Sequence, residues 1–244
     1  MSKSGKNDDL PATVLTRNAR QDLRDLRNTE EMVDAIFGFV SWIPLTEVGK
    51  VALKRHLDKK RQEARNILIE ELQSGYHGRI DDWDFSDDEL LDTLHRWALA
   101  ARNGTARKNL KLLTQIMIGQ KKERGHDSDQ FRRWASILED LSRDELFLIG
   151  ISHRAMRTSE NNDEVFWKHL TKTMNSAKYT RGEIEALCAS VSRTGLLRPV
   201  MGYGGGGYAP TPWLKDLEQL ANIGELSDLP DNQPPKTHSR FQED

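Results

Sequence analysis

Residues 180–221 constrain the fold more than any other stretch of this chain. Thr180-Arg181-Gly182-Glu183 is a capping box, a hydroxyl acceptor with a carboxylate three residues on, and it fixes a helix start. Ile184, Leu187, Cys188 and Val191 follow at helical spacing and give one apolar face, until Gly195 offers the left-handed conformation that ends helices. Residues 196–201 form a short apolar run, residues 202–207 read as its turn, and Tyr208-Ala209 can return beside it. Thr211-Pro212 pairs an N-cap with proline at the first helical position and opens a closing helix. Helix, two-stranded wing and helix make the outline of a winged-helix tail.

The rest of the chain reads as helices leading to that tail. Residues 1–20 are polar and unpatterned, which predicts a mobile arm, and the proline-bearing residues 227–244 predict a disordered tail. Between them the pattern predicts an N-terminal helical region over 21–120 and a helical, winged-helix-like region over 127–222. Thr46 opens a long helix that stops at Gly75; Ser86-Asp87-Asp88-Glu89 caps another; a third runs from Thr105 or Ala106 to Gly119. The short break near Gly104 makes the last two antiparallel. Ser142-Arg143-Asp144-Glu145 is a further capping box. The fold class is therefore mainly α, with one short β-hairpin.

Charge excludes a global attraction to polyanions, since 36 basic and 38 acidic side chains leave a net charge of -2. Any basic patch must be local. The single cysteine, Cys188, lies on an apolar helix face and reads as a buried structural thiol, which removes disulfides and cysteine-rich zinc sites. The opening residues lack the apolar core of a signal peptide, so a cytoplasmic protein is expected. Ile36-Phe37-Gly38-Phe39-Val40-Ser41-Trp42-Ile43 is apolar but falls well short of the ~20 residues that span a bilayer. Burial in the core is favoured over membrane contact there.

Chemistry is sparse. The seven histidines are scattered and form no compact ligand set, so neither a metal nor a cofactor is expected. The aspartate-rich residues 81–88 fail the EF-hand spacing, with Asp87 where glycine is required and Thr93 where the bidentate glutamate belongs. Residues 202–207 match Gly-x-Gly-x-x-Gly, but that motif needs a helix N-terminus directly after it, and Tyr208-Ala209-Pro210 intervenes. An enzyme with a dispersed site would draw on His153, His169, Glu145 and Arg154, and it has the weakest support. No catalytic residue is assigned.

The blocks Ile43-Pro44-Leu45-Thr46-Glu47-Val48-Gly49-Lys50, Ser86-Asp87-Asp88-Glu89-Leu90-Leu91, Ile137-Leu138-Glu139-Asp140-Leu141-Ser142-Arg143-Asp144-Glu145 and Ser192-Arg193-Thr194-Gly195-Leu196-Leu197 resemble, in order, those of the abortive infection alpha family of bacterial and phage proteins. The resemblance implies a phage-exclusion context and carries over no catalytic set. The leading expectation is a non-enzymatic interaction or regulatory protein of phage-defence or prophage type, acting on an unidentified protein partner, with a homodimer through its aromatic helices open. The alternative is a winged-helix nucleic-acid-binding regulator using Lys54, Arg55, Lys59, Arg61, Arg107, Lys108, Arg181, Arg193, Arg198, Tyr203 and Tyr208. Carboxylates beside these cations, Glu183 and Glu185 among them, weigh against it.

Overall fold

A computed structural model describes Val33 and residues 50–227 without 79–87, 104, 124 and 203–204, and at 50–57, 74, 202 and 205 it describes the backbone alone. The expected N-terminal arm, the apolar segment 36–43, the aspartate-rich loop, the Thr46 and Ser86 helix starts and the disordered tail all lie outside the described residues. Within them the chain is mainly helical, with one two-stranded antiparallel hairpin.

From Lys50 onward the described helices begin with α1 (Lys50–Ser74), α2 (Asp88–Arg102), α3 (Arg107–Glu123) and α4 (Ser128–Leu138). Their polar contacts give their directions. Arg107 reaches Glu63 at 3.7 Å and Gln115 reaches Glu71 at 3.0 Å, an equal sequence offset at two levels, so α1 and α3 run parallel. Ser128 N–H donates to Glu89 at 2.7 Å and Arg96 pairs with Glu139 at 2.6 Å, so α2 and α4 run parallel as well. The short break between α2 and α3 turns the chain back, as predicted, and Trp97 Nε1 then donates to Thr114 Oγ1 at 2.9 Å. Leu68, Trp97, Leu113, Ile116 and Phe131 fill the middle of this bundle and are fully buried. Burial of each such side chain is worth about 1.5–3 kcal/mol.

Asn109 closes the bundle, its buried Nδ2 donating to the carbonyls of Leu138 and Leu141. Three helices follow: α5 (Arg143–Thr158), α6 (Asp163–Ser176) and α7 (Arg181–Ser192). The predicted capping boxes that fall within the described residues are present, Ser142 with Glu145 and Thr180 with Glu183. Gly195 sits at φ +83, where a glycine ends the turn after α7.

The hairpin pairs β1 (Leu197–Gly202) with β2 (Gly205–Pro210). Here the glycine run departs from expectation, because only two residues separate the strands and Gly205, Gly206 and Gly207 belong to β2. The reason is close packing: a β-carbon on Gly207 would stand 3.0 Å from Trp167 Cγ on α6. With a two-residue connection, Gly202 and Gly205 form the closing hydrogen-bonded pair, and bonded pairs alternate outward from it. Pro199 and Pro210 fall in the non-bonded pairs, so each strand turns a proline without an N–H toward its outer edge.

The chain then returns across both halves as α8 (Pro212–Leu220) and a 3-10 helix (Ile223–Ser227). Pro212 stands at the helix start as predicted, yet the Thr211 hydroxyl caps nothing there and donates instead to Gly195 O at 2.6 Å. Trp213 packs on Trp134 of α4 at 5.6 Å, under the Arg133 guanidinium. Leu214, Leu217, Leu220, Ile223 and Leu226 are buried. Gly119 is not the predicted stop; α3 continues to Glu123, and the glycine lies where a β-carbon would meet Leu220 O at 2.8 Å. No helix of the described residues is long and apolar enough to cross a membrane.

Candidate functional site

A polar seam runs beneath the returning C-terminal segment. Glu71, 3 % exposed near the end of α1, accepts from Gln115 Nε2 at 3.0 Å, and Lys111 lies 3.5 Å from its other oxygen. Gln115 turns its Oε1 the other way and accepts the Asn222 N–H at 2.9 Å. Lys111 also reaches Glu225 at 3.4 Å. Burial alone would lower the Lys111 ammonium, but Glu71 and Glu225 outweigh it and raise it above its ordinary value. Beside this network His77 Nε2 donates to Leu220 O at 2.7 Å. A buried carboxylate is tolerated because each oxygen has a partner. The seam joins α1 and α3 to residues 220–225, so its chemistry is that of a clasp.

The residues of the dispersed enzyme reading do not converge. His153 is buried on α5 and donates from Nε2 to Glu218 Oε1 at 2.9 Å, with Arg157 3.6 Å from the same oxygen. Glu145 lies in the first turn of α5, more than two turns away, where it closes the capping box and accepts from the Ser190 hydroxyl. Burial alone would raise the Glu145 carboxyl; hydrogen bonds from Ser190 and Ser142 hold it below its ordinary value. His169 and Arg154 are exposed on α6 and α5. Cys188 is buried, and desolvation pushes its thiol up to about 12.

On the hairpin side, the candidate nucleic-acid contacts are engaged within the chain. Arg181 pairs with Glu185 at 2.8 Å, Arg193 donates to Ser190 Oγ at 2.8 Å, and Arg198 pairs with Asp163 at 2.5 Å. Tyr208 is half-buried against Trp167, ring centroids 5.8 Å apart, and Tyr203 lies outside the described residues. What stands free is Met201, 95 % exposed on β1 opposite Gly206, which has no side chain to cover it. On α7, which packs against β1, Gly182, Ala186 and Ala189 are exposed along with Arg181, Glu183 and Glu185.

The remaining cations divide between two flanks. Lys54 and Arg55 fall in α1, with side chains outside the described residues. Lys59, one turn before Glu63, stands on the side of α1 that meets Arg107 of α3, and Lys108 is exposed beside it. Arg61 and Arg65 lie two residues either side of Glu63, which places them on the opposite flank. Glu63 itself takes Lys60 at 3.9 Å and Arg107 at 3.7 Å. The α1 cations are thus spread over two flanks of the helix.

Compared with protein-family models, curated proteins and solved structures, the chain finds no match. The features that pattern reading passes over are the seam and the exposed Met201. Gln115 amid Leu112, Leu113 and Ile116, and a glycine inside α3, are the only local signs of the seam. A strand pattern alone does not tell whether Met201 is covered.

Proposed function

We propose that this chain is a non-enzymatic helical interaction protein of phage-defence or prophage type, acting by protein contacts through its hairpin and the adjoining face of α7. Met201 carries the reading. A thioether that is 95 % exposed contributes no burial to this fold, and it gives a flexible apolar contact once a partner covers it. Strand addition is disfavoured because Pro199 and Pro210 interrupt both outer edges, so the contact is made by side chains. The order α5, α6, α7, hairpin and α8 fits a winged helix with the hairpin as its wing. The phage-exclusion context rests on the resemblance of the four sequence blocks to the abortive infection alpha family.

The test is expression in a bacterial host challenged with a phage panel. Wild-type protein is expected to lower plaque counts for at least one phage, and Met201→Glu to restore them at an unchanged helical signal and melting temperature. Undiminished protection by Met201→Glu overturns the role of the hairpin. Retention of duplex DNA or RNA that weakens steeply with salt would replace the reading with the nucleic-acid one.

A further inference from the structure

Met201 is set apart from the other methionines of the described residues. Met117 and Met174 are fully buried and Met156 is 9 % exposed, all three within the helical core, whereas Met201 is 95 % exposed. It stands one residue before the closing Gly202–Gly205 pair of the hairpin, and its cross-strand partner Gly206 has no side chain to shield the sulfur. A thioether sulfur is oxidised by peroxides where the oxidant can reach it, and a buried one reacts only when the fold opens. Cys188, the other sulfur that a peroxide could attack, is buried, and desolvation keeps it a thiol rather than the reactive thiolate.

We propose that Met201 is a reversible oxidation site, at which hydrogen peroxide converts the exposed thioether of the hairpin to a sulfoxide and turns an apolar contact point polar. The sulfur lone pair attacks one peroxide oxygen and the O–O bond breaks. The departing hydroxide takes the proton of the transferred oxygen and leaves as water, so sulfur loses two electrons and the peroxide gains them. A reductase of the methionine sulfoxide class reverses the step: two thiols form a disulfide, the sulfoxide oxygen leaves as water, and the thioether returns. At position 201 the new oxygen stands in solvent, so the fold loses no packing. On Met117 or Met174 the same oxygen would be buried among apolar side chains, which opposes oxidation of the folded chain. The consequence for partner contact rests on the proposed function; the oxidation itself does not.

The test treats the purified full chain with dilute hydrogen peroxide at neutral pH, stops the reaction with catalase at intervals, and follows each methionine by peptide mass spectrometry. Met201 is expected to oxidise about tenfold or more faster than Met117, Met156 and Met174, with the melting temperature unchanged to within about 1 °C. Two sulfoxide reductases, one for each epimer, should then restore the thioether in the folded protein. Oxidation of Met201 no faster than that of Met117 overturns the proposal, as does a sulfoxide at 201 that the reductases leave in place. A melting temperature that falls by several degrees on selective oxidation shows a packed thioether and overturns it too. No partner enters this assay, so its failure leaves the proposed contact standing, and a wild-type chain that gives no phage protection leaves the oxidation site standing.

Discussion

A β-carbon on Gly150 would stand 2.5 Å from the Ser227 backbone nitrogen. That contact lets the 3-10 helix lie directly on α5, and the obstructing atoms are backbone, which cannot swing aside. Gly150→Ala should therefore destabilise the protein by about 1–3 kcal/mol, although alanine is the better helix former by about 1 kcal/mol. Gly182 on α7 has nothing within 4 Å of its missing β-carbon, and Gly182→Ala should stabilise by roughly 0.5 kcal/mol. Urea unfolding should move the two midpoints in opposite directions at an unchanged slope.

Removing the carboxylate at the centre of the seam has a larger effect. Glu71→Ala strips Gln115 Nε2 of its acceptor and leaves Lys111 with Glu225 alone. A loss of about 2–3 kcal/mol is expected from the orphaned amide and the weakened ion pair. Glu71→Gln, which keeps an acceptor, should lose less. Equal losses for the two variants would show that volume, not polarity, is what the position requires.

Acid should weaken the fold through its helix caps. Hydrogen bonds hold Glu145 below its ordinary value against the effect of burial, and the Thr180 backbone N–H holds Glu183 low. A carboxyl depressed in the fold binds protons more readily in the unfolded chain. Its stabilisation is therefore complete above the unfolded value, about 4.3, and is lost as pH falls through the depressed one. Urea midpoints measured from pH 7 to pH 3 should drop at the acid end, and the double variant Glu145→Gln, Glu183→Gln should flatten that drop.

Cys188 provides a probe of global opening. The thiol is buried and pushed up to about 12 by desolvation, so little thiolate exists at neutral pH. Ellman's reagent should label it at the rate of unfolding, with urea and Gly150→Ala both accelerating the reaction. Rapid labelling of the native protein would contradict the packing of α7 against β1.

Much of the fold is legible because its signals are local. The Ser142 and Thr180 boxes, Gly195 and Pro212 each act within one turn of the residues they organise, and all four appear where the sequence puts them. Gly119 and Gly207 mislead for the opposite reason. They answer to Leu220 and Trp167, which approach them from distant parts of the chain. The seam is hidden in the same way, since Glu71, Gln115 and Asn222 carry no shared pattern until α1, α3 and the C-terminal segment meet. The α1 cations are spread over two flanks because residues two apart on a helix face opposite ways.

The most direct test of contact through the hairpin places a photo-crosslinking benzoylphenylalanine at position 201 of the full chain in phage-infected cells, with exposed Asp92 on α2 as the control site. The account predicts one discrete protein adduct from position 201 that is absent from position 92 and disappears in uninfected cells or with Arg193→Glu added on the adjoining helix. Equal adducts from both positions, or none from position 201 while the host remains protected, would contradict it.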